Sequence, residues 1–115
     1  LTCALGGRLD HTMANLQTCV QAAEAGAAVR IVDETTEIDF LTGGMLRVRK
    51  RPGWSLSVFS MSDRCAGVCL RGVKYPLEDA DLTNRVPLGV SNEFAAAGAE
   101  IALNSGVLMV VQTKL

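Results

Sequence analysis

The first part of the chain shows a hydrophobic pattern with helical spacing. Four apolar residues fall at i, i+3, i+7 and i+10, on one stripe of an amphipathic helix: Met13, Leu16, Val20 and Ala23. Asp10 is a suitable N-cap for this helix and Gly26 a suitable C′ residue. Short apolar runs at residues 1–5 and 28–32 flank the helix and predict strands. Strand, glycine turn, helix and strand together indicate a βαβ unit.

After Glu34 the period of the pattern changes from 3.6 to 2, which is typical of strands with one buried face. Apolar and polar residues alternate in five short segments: 38–40, 46–48, 54–58, 66–70 and 99–103. A turn at residues 104–106 and an apolar run at 107–111 predict a final hairpin. Several short strands separated by glycine-containing turns indicate an antiparallel sandwich or barrel.

The two patterns predict an α+β chain in which the remnant of an α/β (βαβ) domain is followed by an antiparallel β-sandwich. We assign residues 1–34 to the α/β part and residues 35–115 to the sandwich. A single βαβ unit is too small to form a sheet, so we expect its other strands in sequence that precedes Leu1. The opening residue is not Met, which also suggests a fragment.

Composition narrows the class of protein. The chain has 115 residues, of which 49% are hydrophobic, and this is enough for a packed core. The formal net charge is −1, so no overall charge favours nucleic acid or a membrane surface as a partner. No apolar stretch approaches the roughly 20 residues of a membrane-spanning helix, and no signal peptide is recognisable. We therefore expect a cytoplasmic globular protein.

The four cysteines have irregular spacings and form no CxxC pair. His11, the single histidine, has no second soft ligand nearby in sequence, which argues against a zinc site. We interpret all four cysteines as reduced and mostly buried thiols. Cys65 and Cys69 are four residues apart, and a regular strand places such residues on the same face.

The segment from Gly6 to His11 is the first candidate for chemistry. A glycine pair between a strand and a helix lets the backbone approach a ligand and leaves amides at the helix start available for phosphate. Arg8 could donate hydrogen bonds to phosphate oxygens, and Asp10 could coordinate a magnesium ion. The structural alternative is that Asp10 only caps the helix while Arg8 is solvated.

Two further segments mix polar and apolar residues in an otherwise plain sandwich: residues 72–77 and residues 89–93. Ser91 and Asn92 offer a hydroxyl and an amide, which are suited to orienting a small heterocycle. The structural alternatives are a turn role for Asn92 and a surface role for Lys74.

Two charged runs have simpler explanations. The basic residues of segment 47–51 lack interleaved aromatic residues, so solvated charge on an edge strand is favoured over nucleic-acid binding. Glu78, Asp79 and Asp81 could bind a cation, but a solvated loop is the preferred interpretation.

Taken in order, these pieces resemble bacterial thiamine pyrophosphokinases. The resemblance rests on ALGGRLDHTMANL from Ala4, the DE pair at residues 33–34, GVKYPL from Gly72 and GVSNE from Gly89, before the final hairpin. It covers nearly the whole chain, from Ala4 to Val111. It implies transfer of a diphosphoryl group from ATP to thiamine by a homodimer, with sites at domain and subunit junctions.

By the same resemblance, residues 1–34 would be the last part of an α/β nucleotide-binding domain. Asp10 would help bind Mg²⁺, with Arg8 beside it as the second catalytic residue. Gly7, Arg8 and His11 would lie near the ATP phosphates. The family's other metal-binding aspartates belong to a first α/β segment that has no counterpart in this sequence. Asp10 alone cannot build a magnesium–ATP site, so we expect this chain to be inactive without that segment.

The resemblance makes residues 35–115 the thiamine-binding domain. Ser91 and Asn92 would contact thiamine, with Lys74 and Tyr75 in the neighbouring loop. Thiamine is cationic and flat, so neutral polar groups against an aromatic wall would suit it. The alternative hypothesis is a non-catalytic β-sandwich module that binds thiamine or dimerises without transferring any group.

Overall fold

The structure is a computed structural model, and it describes residues 8–115. One helix, α1, is followed by nine strands in this range. Helix α1 spans Leu9–Glu24, and the strands are β1 (Arg30–Val32), β2 (Thr36–Leu41), β3 (Gly44–Arg49), β4 (Trp54–Ser60), β5 (Arg64–Arg71), β6 (Leu77–Thr83), β7 (Gly89–Asn92), β8 (Gly98–Leu103) and β9 (Leu108–Lys114).

The strands form two antiparallel sheets that pack face to face. The first sheet has the order β1-β2-β9-β4-β7 and the second has the order β3-β8-β5-β6. Their inner faces share one apolar core, which includes Leu56, Val58, Val68, Leu70, Ile101, Leu108 and Val110. The antiparallel sheets predicted from the alternating pattern are confirmed.

Helix α1 covers the outer face of the five-stranded sheet. Cys19 and Ala23 are buried there against Ile38 and Phe40 of β2. These residues belong to a second buried cluster, between α1 and the sheet. Leu16 and Val20, from the predicted stripe, are partly buried against it. Burial raises the pKa of the Cys19 thiol.

The end of α1 follows the prediction and its start does not. Gly26 has φ +94°, and its N–H donates to the carbonyl of Ala23 while Ala27 N–H donates to Ala22, which is a Schellman motif. The helix begins at Leu9 with Arg8 at the N-cap position, and the Arg8 side chain makes no capping hydrogen bond. The prediction of Asp10 as N-cap was wrong, because Asp10 lies within the first turn.

Strand β1 pairs with β2 in the antiparallel direction, with Ile31 opposite Ile38. It therefore belongs to the same five-stranded sheet as β2, β9, β4 and β7. The first strand of the expected βαβ unit, at residues 1–5, lies outside the described residues. The division at residue 34 stays a prediction.

The predicted final hairpin is absent from the described sheets. Strand β8 pairs with β3 and β5, whereas β9 pairs with β2 and β4 in the other sheet. The turn at residues 104–106 therefore carries the chain from one sheet to the other.

The structure differs from the prediction for the acidic residues that follow Leu77. Glu78, Asp79 and Asp81 lie in strand β6 rather than in a loop. Arg71 pairs with Glu78 at 3.2 Å, and Arg64 pairs with Asp81 at 2.7 Å. The hydrogen bond from Arg71 to Glu78 is the main cause of a raised Arg71 pKa.

Across the described residues no group of three or more acidic, histidine or cysteine side chains is arranged to hold a metal ion.

Cys65 and Cys69 do not share a face, contrary to the prediction. Strand β5 carries one extra residue relative to β6 between Cys65 and Val68, and this bulge reverses the alternation. Cys65 is fully buried and donates to the carbonyl of Val107 at 3.1 Å, whereas Cys69 is only half-buried. Both are free thiols, as is Cys19; Cys3 lies outside the described residues.

In the basic run, Arg47 and Arg49 are exposed on β3, an edge strand of its sheet, as expected, whereas Arg51 is half-buried and pairs with Glu37 at 2.7 Å. Arg47 pairs with Glu100 of β8 at 3.5 Å. Within residues 8–115, no helix has the length and apolar character needed to cross a membrane.

We predict that Gly106→Ala destabilises the fold by about 2 kcal/mol. Gly106 has φ +101°, and an added Cβ would lie 2.5 Å from the carbonyl oxygen of Arg64. Gly43→Ala is the matched control, because nothing lies within 4 Å of an added Cβ there. Urea denaturation of both variants tests this, and equal midpoints would contradict it.

Candidate functional site

The segment 72–75 and the segment 92–95 form a short hydrogen-bonded pair beside the end of β7. Lys74 N–H donates to the carbonyl of Glu93 at 2.9 Å, and Ala95 N–H donates to Gly72 at 2.9 Å. Val73 and Phe94 face each other in an isolated antiparallel bridge. The structure thus brings together the two polar segments predicted from the sequence, although about fifteen residues of chain separate them.

Asn92 joins these segments through its side chain, and the residue is only 3% exposed. Its Oδ1 accepts the N–H of Tyr75 at 3.0 Å and the N–H of Glu93 at 3.1 Å. Its Nδ2 donates to the carbonyl of Tyr75 at 2.9 Å. Both hydrogen-bonding groups of the Tyr75 backbone are therefore held by one amide, which leaves Asn92 a single N–H for any ligand. That Asn92 contacts thiamine directly stays a prediction.

Tyr75 presents its ring to solvent, and the residue is 62% exposed. The ammonium of Lys74 lies 5.4 Å from the ring centroid, and it also lies 3.9 Å from the carboxylate of Glu93. The backbone N–H and C=O of Tyr75 are both held by Asn92, so the exposed ring has a fixed attachment point. Such a ring can stack against a flat or cationic ligand. Lys74 and Glu93 balance each other's charge beside it.

Ser91 lies next to Asn92 in an uncommon backbone conformation, with φ +60°. Its N–H donates to Oγ of Ser57 on β4 at 2.8 Å. The Ser91 side chain is exposed, so its hydroxyl is accessible. Lys74, Tyr75, Ser91 and Asn92, all predicted site residues, are therefore neighbours in one region.

Sequence reasoning missed Ser57. In the alternating segment 54–58 it is one of two serines at polar positions, and nothing in the spacing distinguishes it from Ser55. Only the pairing of β4 with β7 shows that Ser57 touches the site.

The second group of predicted residues lies at the start of α1. The Arg8 guanidinium pairs with the Asp10 carboxylate, and Asp10 Oδ1 also accepts the N–H of His11 at 2.9 Å. All three residues are exposed. Gly7 lies outside the described residues.

These residues do not by themselves fit a magnesium ion. Mg²⁺ needs near-octahedral oxygen ligands, and in the described range this group offers one carboxylate that already pairs with a guanidinium. That Asp10 and Arg8 act on the ATP side of the site stays a prediction.

Helix α1 and Ser57 lie on the same side of the five-stranded sheet. Phe59 packs into the cluster under the helix, and Ser57 points to the same face because alternate strand residues share a face. A cleft of about 450 Å³ runs between α1 and this sheet, lined among others by Met13, Leu16 and Phe59.

Comparison with protein families and known proteins gives a consistent picture. A family model described as thiamin pyrophosphokinase, vitamin B1 binding domain, matches residues 45–108, more than half of the chain. This range contains Lys74, Tyr75, Ser91 and Asn92, whereas the group at the start of α1 lies outside it. The thiamine pyrophosphokinase of Bacillus subtilis (strain 168) is 25% identical over 109 residues, which are 94% of this chain and 51% of that protein.

Solved structures agree in fold. The crystal structure of thiamine pyrophosphokinase from Bacillus subtilis has a TM-score of 0.90 and 23% identity, covering 99% of this chain and 54% of that one. The crystal structure of thiamin pyrophosphokinase from Geobacillus thermodenitrificans has a TM-score of 0.86 and 27% identity, covering 100% and 53%. At 23% identity the first likeness concerns the fold alone. The chain spans about half the length of the relatives it matches.

We predict that Asn92→Ala lowers the free energy of unfolding by about 2 kcal/mol, because three backbone groups lose their partner at a nearly buried position. Asn84→Ala, at an exposed position in the β6–β7 connection, is the matched control and should change stability by no more than about 0.5 kcal/mol. Thermal unfolding of both variants measures the difference. Equal melting temperatures would remove Asn92 from this structural role.

Proposed function

This chain belongs to the thiamin pyrophosphokinase family, and we propose that it forms the thiamine-binding half of an enzyme that transfers a diphosphoryl group from ATP to thiamine. The observation that carries the proposal is the grouping of Tyr75, Ser91 and Asn92 within the range that the family model matches. Residues far apart in sequence are held together there by side-chain hydrogen bonds.

The chemistry of this grouping suits thiamine. The thiazolium ring is flat and permanently cationic, so it gains from lying over the exposed face of Tyr75. The Ser91 hydroxyl and the remaining N–H of Asn92 are neutral groups that can orient a heterocycle without adding charge. Lys74, already paired with Glu93, would move aside from the ring when the cation binds.

For the transfer step, the protein must position the thiamine hydroxyl in line with the phosphate that it attacks. This chain contributes the thiamine side of that alignment. Arg8 and His11, at the start of α1, are proposed to face the ATP phosphates, since the helix start and the guanidinium both favour anions. Because Asp10 alone does not fit Mg²⁺, we derive no metal-dependent step from this chain.

The test of the proposal is thiamine binding by the chain itself. We expect measurable thiamine affinity, lowered roughly fivefold or more by Tyr75→Ala and kept by Tyr75→Phe, because the ring rather than its hydroxyl holds the cation. Arg47→Ala, on an edge strand of the other sheet, serves as control. Isothermal titration calorimetry measures all four proteins.

Absence of thiamine binding by the unaltered chain would contradict the proposal. Equal affinity of Tyr75→Ala and Arg47→Ala would contradict the placement of the ring over Tyr75.

We further propose that the chain forms a homodimer through the sandwich. Strand β7 is an edge strand, and it and the connection leading into it expose Val86, Leu88 and Val90, each at least 42% exposed. An apolar stripe of this kind along an edge strand is a surface that association would bury.

Leu88→Asp is predicted to shift the chain from dimer to monomer at tens of micromolar, since it places a charge in the apolar stripe. Met45→Asp, at a similarly exposed residue on β3, should leave the dimer intact. Light scattering at matched concentrations distinguishes them. A monomeric unaltered chain would contradict the dimer.

A further inference from the structure

Strand β7 departs from regular pairing at Ser91, opposite Ser57. Leu56 of β4 faces Asn92, and Val58 faces Gly89, so β7 carries one residue more than β4 between these two pairs. Such a bulge redirects a side chain and leaves part of the ladder irregular. Ser57, the one β4 residue inside this interval, accepts the Ser91 N–H with its side-chain oxygen.

From this geometry we infer that Ser57 is a positioning residue for thiamine, which it serves by holding Ser91 in its left-handed backbone conformation. The inference rests on the proposed function, because it assigns to Ser57 a role in that same site. Ser57 itself need not touch the ligand.

The role of Ser57 depends on the backbone of Ser91. A φ of +60° is unfavourable for a residue with a side chain, and it persists where the surroundings hold it. Ser57 holds the N–H of Ser91 on one side. On the other side Asn92 is tied to the backbone of Tyr75 and Glu93.

Removal of the Ser57 hydroxyl releases only one of these two restraints. The neighbouring strand pairs and the Asn92 side chain remain, so the fold survives. Ser91 is then free to relax toward negative φ, which turns its hydroxyl away from its present direction. Loss of ligand orientation is therefore expected to exceed loss of stability.

Strand β4 offers a matched control in Ser55, which lies two residues earlier on the same face. The hydroxyl of Ser55 donates to the carbonyl of Thr113 on β9, at 3.5 Å, so its hydrogen bond is directed toward β9 rather than toward β7. Ser55→Ala removes the same atom from the same strand, on the side away from the site. Ser57→Thr keeps the hydroxyl and suits a strand.

The experiment measures thiamine affinity by calorimetry, melting temperature, and hydrogen exchange at the Ser91 amide by NMR, for the unaltered chain and these three variants. We expect Ser57→Ala to weaken thiamine binding roughly five- to tenfold and to accelerate exchange at Ser91. Ser57→Thr should restore both, and Ser55→Ala should change neither. The melting temperatures of the two alanine variants should be similar.

The failures of the two proposals are distinguishable. An unaltered chain without thiamine affinity would overturn the proposed function, and the role of Ser57 with it. An unaltered chain that binds thiamine, with the same affinity in Ser57→Ala and Ser55→Ala, would overturn the role of Ser57 alone. Loss of affinity in Ser57→Ala that Ser57→Thr does not restore would also overturn the role of Ser57.

Discussion

The five-stranded sheet carries buried apolar residues on both faces, and the rest of the structure follows from the need to cover both. The constraint is clearest in β9, where Leu108, Met109 and Val110 are consecutive and all buried. Leu108 and Val110 face the second sheet, while Met109 faces α1. A strand with only one covered face would alternate between buried and exposed residues. The second sheet covers one face of this strand and helix α1 covers the other.

This constraint also explains which elements the sequence could and could not predict. The helix and the strands that alternate between buried and less buried residues have clear periods, so Leu16, Val20 and Ile38 were assigned correctly from spacing. Strand β6 was missed because its outward positions carry Glu78 and Asp81, whose arginine partners lie on β5. Spacing along one strand does not reveal a partner on the next.

Bulges account for two departures from regular alternation within the sheets. One extra residue in β5 puts Cys65 and Cys69 in different environments, and one extra residue in β7 lifts Ser91 out of the regular ladder. Alternation assumes that each residue advances the strand by one step. A bulge breaks this assumption without a compositional sign that is strong enough to locate it.

The structure brings four of the predicted residues, Lys74, Tyr75, Ser91 and Asn92, into one region, but their hydrogen-bonding partners could not be predicted from the sequence. Ser91 and Asn92 could be nominated as an adjacent hydroxyl and amide, yet the structure gives them different roles. Asn92 is nearly buried and holds the backbone of Tyr75, while Ser91 is exposed and is itself held by Ser57. Asn92, whose amide resembled a ligand contact in the sequence, thus mainly holds the backbone of Tyr75 in place.

That arrangement bears on how the proposed thiamine-binding half could serve phosphoryl transfer. A flat cation over an aromatic ring is free to slide, because the attraction has little directional preference. Alignment of its hydroxyl with a phosphate needs a second, directional contact at a fixed place, since small displacements cost rate steeply. An exposed serine on a mobile loop would not provide one. In the proposed site, Ser91 would provide that contact, because Ser57 holds its N–H and the neighbouring Asn92 is tied to the backbone of Tyr75 and Glu93. The unfavourable φ of Ser91 would then be a consequence of accurate placement rather than a defect of the edge strand.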